Sequence, residues 1–340
     1  DSNNTSINLK LNKAFDLICS EFTWIKCAER NSQFVSKLLL LKQKLRPKIG
    51  WVTTWNTRCG IASYSHHLIN YFSDEVTILA ANQDELVAKD SNNVRRCWDL
   101  DDKDSQSLSE LYELVIKEKF TSLVIQFNYG FYNFKEFEKF LDLCYEAKIS
   151  THIILHSTID PKKILFKNLK SIKRVLSLSD RLLVHTPQDL NRLMKIGLVD
   201  NVSLFPHGIV DFSVTNNLLK DNKNSLNSCS SKILNLASFG YCLPNKGFPE
   251  LIKAIGVLQE SDIAIHLQMF TALYDESFQW FYKELIHLRD GLGLKQKIDI
   301  DINYLSEDKI LNALSKVDLI VYPYQTTNES SSAAVRQGIA

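Results

Sequence analysis

From Lys48 onward the chain repeats one pattern: a short apolar run, a polar or glycine-bearing loop, then a stretch with apolar positions at helical spacing. The runs Ile49–Thr53, Val76–Ala80, Ser122–Gln126, Thr151–Leu155, Arg181–Val184 and Val202–Phe205 suit buried parallel strands, because they are largely continuous rather than alternating. Between them, Ile61–Phe72, Ser107–Glu118, Phe134–Ala147 and Gln188–Ile196 read as helices. Six strands alternating with helices predict a doubly wound sheet, and right-handed crossovers put every loop that follows a strand on one edge. A ligand is expected at that edge.

A second series of the same kind follows. It reads as strand Ile233–Phe239, helix Pro249–Leu258, strand Ile263–Phe270, helix Glu276–Arg289, strand Ile298–Ile302, helix Glu307–Leu314, strand Leu319–Tyr322 and a last helix. Residues 211–231 are rich in Asn, Ser and Lys and lack periodicity. Upstream of Lys48, Phe15, Ile18, Phe22, Ile25, Phe34, Leu38 and Leu41 recur at helical spacing and predict one or two helices ending before Pro47. The expected division is a helical extension over 1–46, a Rossmann-like domain over 47–210, a linker or surface excursion over 211–231, and a second Rossmann-like domain over 232–340. A cleft between two such halves is the default ligand site. Asp1 is not an initiator Met, and Ser330–Ala340 reads as the opening of a helix with no terminator or following strand, so the second domain is expected to be incomplete.

Composition narrows the function classes. With 340 residues, 45% of them apolar and 23% charged, the chain can build two globular cores. Forty Lys and Arg stand against 39 Asp and Glu, so no global field points to nucleic acid and an anionic ligand must be held locally. The seven cysteines, Cys19, Cys27, Cys59, Cys97, Cys144, Cys229 and Cys242, are an odd number without a C-x-x-C pair, which argues against a disulfide framework or zinc site and for a reducing compartment. No apolar run reaches the roughly 18 residues of a membrane span. A soluble or peripheral protein is expected.

Three strand-loop-helix junctions carry candidate anion chemistry. The first runs from Ile49–Thr53 through Asn56-Thr-Arg-Cys-Gly-Ile-Ala-Ser63, placing Gly60 at a helix N-terminus whose open N–H groups favour a phosphate. A tight turn that merely needs glycine fits equally well. The second, Phe239-Gly-Tyr-Cys-Leu-Pro-Asn-Lys-Gly247, sets Lys246 beside a helix N-terminus, where its ammonium can neutralise a diphosphate unless it is simply a solvated surface lysine. The third holds Glu329 before Ser330, Ser331 and Ser332 at a helix start, where serine N–H groups can meet an anion and the carboxylate can accept from hydroxyls; a plain N-cap is the alternative. His156 and His207 follow strands, and His185 is a weaker third. The D-x-D pairs Asp99–Asp101 and Asp299–Asp301 read as a solvated acidic loop and a strand alternation, so no metal site is expected.

Together, Trp55-Asn-Thr-Arg-Cys-Gly-Ile-Ala-Ser-Tyr64, Val124-Ile-Gln-Phe-Asn-Tyr129, Leu155-His-Ser157, Phe205-Pro-His-Gly208, Phe239–Gly247 and Glu329-Ser-Ser-Ser-Ala-Ala-Val-Arg336 resemble the family 4 retaining glycosyltransferases of GT-B fold, in particular a bacterial mannosyltransferase-like subgroup. The resemblance covers about Lys48 to the end. It implies an α/β GT-B architecture: an acceptor-side domain over 47–210, a donor-side domain over 232–340, and an interdomain cleft. The implied catalytic residues are His156, near the reacting carbon of the donor sugar, Lys246 at the diphosphate, and Glu329 at the sugar hydroxyls. Donor contacts are implied for Gly60, Ile61, Arg58, His207, Gly240, Tyr241, Lys246, Glu329, Ser330, Ser331, Ser332 and Gln337.

Two positions depart from the family pattern, Tyr241 where an Arg is usual and Gln337 where a second Glu is usual, so Arg336, Arg58 or His207 is expected to compensate for the missing charge. The implied reaction moves a hexose, mannose favoured, from a nucleoside diphosphate sugar to a glycan or lipid-linked acceptor in surface polysaccharide synthesis. No cofactor or metal is involved, and the implied location is cytoplasmic or peripheral at the inner membrane face. A degenerate module that binds a nucleotide sugar or a partner domain without catalysis is the alternative. Phe22-Thr-Trp-Ile-Lys-Cys-Ala-Glu-Arg30 resembles the closing helix of a preceding domain of the same kind, so an adjacent glycosyltransferase domain is an expected partner.

Overall fold

The structure is a computed structural model that describes residues 2–23, 25–30, 32, 47–100, 107–164, 166–209, 233–259, 263–325 and 332–339. The chain divides into two compact units, the first running to Gly208 and the second beginning at Ile209.

The first unit begins with α1 (Ser2–Glu21), which leaves Leu9, Leu11, Phe15 and Leu17 exposed, and with a helical turn over 25–30 in which Cys27 and Ala28 are buried. Trp24 and the expected helical positions Phe34, Leu38 and Leu41 lie outside the described residues. The sheet then assembles from β1 (Ile49–Thr53), β2 (Val76–Ala81), β3 (Val94–Trp98), β4 (Ser122–Phe127), β5 (Ser150–Leu155), β6 (Arg181–Val184) and β7 (Val202–Leu204). Its order is β3-β2-β1-β4-β5-β6-β7 and every pairing is parallel. The helices are α2 (Gly60–Asn70), α3 (Ser107–Lys117), α4 (Phe134–Glu146), α5 (Lys173–Leu178) and α6 (Pro187–Lys195).

All five residues of β1 are buried, as a strand between two parallel neighbours requires. An aromatic core forms where α4 packs on the sheet; Tyr132 and Phe137 stack at 4.6 Å between ring centroids, and Phe127 and Phe140 are fully enclosed.

Six strands were expected and seven are found. The additional strand, β3, reads Val-Arg-Arg-Cys-Trp and lies at the sheet edge, where only Trp98 is buried. An edge strand with polar side chains at its centre produces no continuous apolar run.

The second unit contains β8 (Leu234–Phe239), α7 (Phe248–Leu258), β9 (Ile265–Phe270), α8 (Gln279–Gly291), β10 (Ile298–Asp301), α9 (Glu307–Leu314), β11 (Leu319–Ile320) and α10 (Ala333–Ile339). Its parallel sheet runs β10-β9-β8-β11 among the described residues. Phe248, Ile252, Leu267, Leu285 and Ile298 close its core. The low-complexity stretch 211–231 lies outside the described residues.

Candidate functional site

In the first unit, sheet order converts four residues far apart in sequence into neighbours. Strands β4, β5, β6 and β7 lie side by side, and Gln126, His156, His185 and His207 stand at or just beyond their carboxyl ends. Nε2 of His185 is 3.3 Å from Nδ1 of His156, and Nδ1 of His185 is 2.9 Å from the Phe205 carbonyl. Nε2 of His156 lies 2.7 Å from Oε1 of Gln126. Tyr64 of α2 stands edge-on to three of these rings, with centroids 4.8 Å from His156, 5.4 Å from His185 and 4.9 Å from His207. Its burial in turn pushes the phenol well above the ordinary tyrosine range, with the neighbouring Cys27 adding to the effect.

Proton bookkeeping follows from these contacts. A carbonyl only accepts, so His185 donates from Nδ1 to Phe205. The Gln126 side-chain oxygen likewise only accepts, so His156 donates to it from Nε2, and the 3.3 Å contact between His156 Nδ1 and His185 Nε2 joins the two remaining ring nitrogens. Burial, followed by the His185 and His207 rings, holds His156 well below the ordinary histidine range. His156 is therefore neutral at pH 7.

A buried carboxylate fixes this pair. Asp189 accepts from Thr158 Oγ1 at 2.6 Å, two residues beyond His156, and from the backbone N–H of Thr186 at 3.1 Å, the residue after His185. Arg192 donates to Thr158 at 2.7 Å and pairs with Asp189. Thr186 and Asp189 form the capping box that opens α6, with Pro187 in its first turn. Besides opening this helix, Asp189 ties the loops after β5 and β6 together.

The Gly60 junction is also a helix N-terminus. Cys59 caps α2 without a side-chain hydrogen bond, which leaves the N–H groups of its first turn open. Asn56 adopts φ 51°, and its side chain donates to Asp90 at 2.8 Å. Arg96 forks onto both Asp90 oxygens at 2.7 and 3.0 Å and also reaches the Trp55 carbonyl at 3.1 Å. The loop that carries the exposed Arg58 and Gly60 and the half-buried Ile61 is thus anchored at its base.

In the second unit, β8 runs into Gly240, Tyr241 and a 3-10 turn over Pro244–Lys246 before α7. Gly240 has φ 146°, and Gly247 has φ 71° with its missing Cβ position 1.9 Å from the Pro323 carbonyl oxygen, so only glycine fits there. Because β11 pairs with β8, the segment after β11 lies against this loop: Gln325 N–H donates to Asn245 O at 3.0 Å, and Tyr324 OH donates to Phe239 O at 3.0 Å. Lys246 is 5% exposed, with Nζ 4.1 Å above the Tyr324 ring. It is not a solvated surface lysine. Beside it, α7 begins without a side-chain cap.

The remaining candidates are dispersed. Tyr241 packs edge-on against Tyr274 at 5.4 Å, and Gln337 donates to Glu307 at 2.9 Å. Ser332 caps α10 through its carbonyl, which accepts from Arg336 N–H at 3.2 Å. Glu329, Ser330 and Ser331 lie outside the described residues. Among the described residues no group of three or more His, Cys, Asp or Glu side chains is arranged to hold a metal ion. Asp299 instead pairs with His266 at 3.1 Å, and Asp301 accepts from Asn303.

No protein-family model matches the chain, and no curated sequence does. Solved structures do resemble it. A glycosyltransferase from Rickettsia africae shares 11% identity, with 82% of this chain and 74% of that one covered and a TM-score of 0.59. Anabaena HepE in complex with UDP shares 11% identity, with coverage of 86% and 78% and a TM-score of 0.56. The N-terminal domain of Candida albicans trehalose-6-phosphate phosphatase shares 10%, with coverage of 87% and 80% and a TM-score of 0.62. At such identities the likeness establishes the fold, and the fold is the GT-B type expected from the sequence.

Proposed function

We propose that the chain is a retaining glycosyltransferase of the family 4 kind that transfers a hexose, with mannose favoured, from a nucleoside diphosphate sugar to a glycan or lipid-linked hydroxyl. The observation that carries this reading is the buried Lys246, seated on Tyr324 and directly followed by the uncapped N-terminus of α7. A buried ammonium next to open N–H groups suits a diphosphate better than any neutral ligand. The Anabaena neighbour was crystallised with UDP and with UDP-glucose, which supports the ligand class.

In this reading the acceptor oxygen bonds to the anomeric carbon on the face from which the diphosphate leaves. The anomeric carbon–phosphate oxygen bond breaks, and the acceptor proton passes to a diphosphate oxygen. Lys246 stabilises the charge that develops on the leaving group, and the uncharged His156, whose two nitrogens are engaged by Gln126 and His185, lines the sugar without adding charge. No nucleophile from the protein and no metal is required. Glu329 serves the sugar hydroxyls, and the Gly60 loop with Arg58 and Ile61 faces the donor.

The test is titration of the protein with GDP-, UDP- and ADP-sugars while sugar release and transfer are followed. Turnover with one donor supports the proposal; no binding of any nucleotide sugar refutes it. A second reading is favoured by Tyr241, packed on Tyr274, and Gln337, engaged by Glu307: a module that binds the donor without turning it over. Saturable binding with no release identifies that case.

A further inference from the structure

Positive charge is concentrated in one short stretch of the first unit. Between Asp160 and Asp180 the sequence holds Lys162, Lys163, Lys167, Lys170, Lys173 and Arg174 and no acidic residue, although the whole chain is balanced at 40 against 39. Two of these cations serve the fold. Lys167 is 4% exposed and donates to the Tyr129 carbonyl at 2.7 Å, while Arg174 pairs with Asp142 and Glu138 of α4. Lys162, Lys163 and Lys170 are exposed.

The stems of this loop are fixed. The Asp160 carboxylate accepts from Tyr129 OH at 2.7 Å and from Leu169 N–H at 3.0 Å, so both stems are tied to the same point. Within the loop, Ile164 N–H donates to Pro161 O at 3.3 Å and Lys167 N–H to Ile164 O at 3.0 Å. What this framework presents outward is apolar: Phe166 is 70% exposed and Ile164 38%. Six residues from 161 to 166 span at most about 20 Å, so the apolar side chains and lysines share one small patch.

We propose that the 161–170 loop docks the protein on an anionic lipid bilayer. Phe166 and Ile164 enter the boundary between headgroups and acyl chains, and Lys162, Lys163 and Lys170 meet lipid phosphates. A protein partner needs on the order of 800 Å² per side, far more than two apolar side chains supply. A bilayer needs only a short apolar insertion reinforced by several cations without intervening acids. Among the described residues no helix is long and apolar enough to cross a membrane, so attachment through this loop is of the surface kind. The proposal does not depend on the enzymatic reading.

Flotation of the protein with vesicles tests it, using phosphatidylcholine alone and phosphatidylcholine with about 30 mol% phosphatidylglycerol, a charge density that gives each surface lysine a measurable share of the binding. Binding to the anionic vesicles and not the neutral ones is expected, weakening as salt is raised. Phe166→Ser and the double variant Lys162→Glu/Lys163→Glu should each lower partitioning about tenfold or more. Because these side chains are exposed, unchanged thermal unfolding of both variants checks that the fold persists. Equal binding to both vesicle types, no binding to either, or full retention by both variants overturns the proposal. Self-association in the absence of vesicles that Phe166→Ser abolishes also overturns it, since the patch would then serve a second copy of this chain.

Discussion

The two units use the same strand-loop-helix architecture to build sites of opposite electrical character. In the first, the ends of four adjacent parallel strands line up Gln126, His156, His185 and His207 around Tyr64, and burial keeps the central histidine neutral. In the second, one loop buries a cation, Lys246, on an aromatic face beside an uncapped helix. Parallel sheets collect functional groups at their carboxyl edges in both cases. What differs is how each site is enforced, by a hydrogen-bond chain between side chains in the first and by backbone packing around two glycines in the second. An uncharged histidine suits a neutral ligand and a buried ammonium suits a diphosphate, a division of labour that each substitution below can break.

Lys246→Ala should have the largest effect. If the ammonium stabilises a leaving diphosphate, its removal lowers turnover about 10³-fold, in line with the loss of one strong transition-state contact. Lys246→Met keeps the packing on Tyr324 and should be equally impaired if charge is the cause. Near-normal transfer by either variant, measured as initial rate with the donor that the protein turns over, refutes the role. Next comes Gly247→Ala. A Cβ 1.9 Å from the Pro323 oxygen at φ 71° forces the β8–α7 loop away from the segment after β11, at a cost of about 3 kcal/mol. Denaturant unfolding of the second unit should show this loss; unchanged stability would mean the loop is not held against Pro323.

His156→Ala should cost less, about 30-fold in kcat/KM, the value of one buried polar contact. The comparison sharpens when His185→Ala is added. If His185 acts by orienting His156, the double variant should be little worse than His156→Ala alone, whereas additive losses would make them independent groups.

The two sites were legible to different degrees. Strand ends at β1 and β6 and the α9 boundaries could be read residue for residue because their apolar periodicity is unbroken. β3 could not, since Arg95 and Arg96 sit at the centre of an edge strand, and α5 could not, since six residues carry too little period to detect. His156 and Lys246 stand out in the sequence because each follows a strand. Gln126 and Tyr64 were passed over, although a polar residue at the end of the run Leu-Val-Ile-Gln-Phe is a detectable signal. Tyr64 gave no such signal: an aromatic at helical spacing looks like core until the sheet order shows what it faces. Asp189 reads as a helix cap from sequence, and its tie between the β5 and β6 loops depends on a register no single sequence encodes.

The smallest effects are those of pH on the first unit, where the depressed values of His156 and His152 act in one window and those of Asp90 and Asp142 in a lower one. The folded value of His156 is depressed, so the stability linked to its neutral form is complete above the unfolded value of about 6.5 and is lost as pH falls towards the folded one. Partial burial raises the Asp90 carboxyl, but hydrogen bonds from Arg96 and Asn56 and the Arg96 charge outweigh it and leave a net value below the ordinary one. Its contribution is therefore complete above the unfolded value of about 4 and is lost as pH falls through the lower folded value. Because Asp90 and Arg96 remain partly open to solvent, the Asp90 part should stay near 1 kcal/mol. Unfolding free energies measured from about pH 8 to pH 3 should show both losses, each group adding a slope no steeper than about 1.4 kcal/mol per pH unit. His156→Gln should reduce the loss in the upper window only, with His152 supplying the rest, and Asp90→Asn that in the lower only, with Asp142 supplying the rest. If Asp90→Asn leaves the acid limb unchanged, the Arg96 fork does not anchor the base of the Gly60 loop.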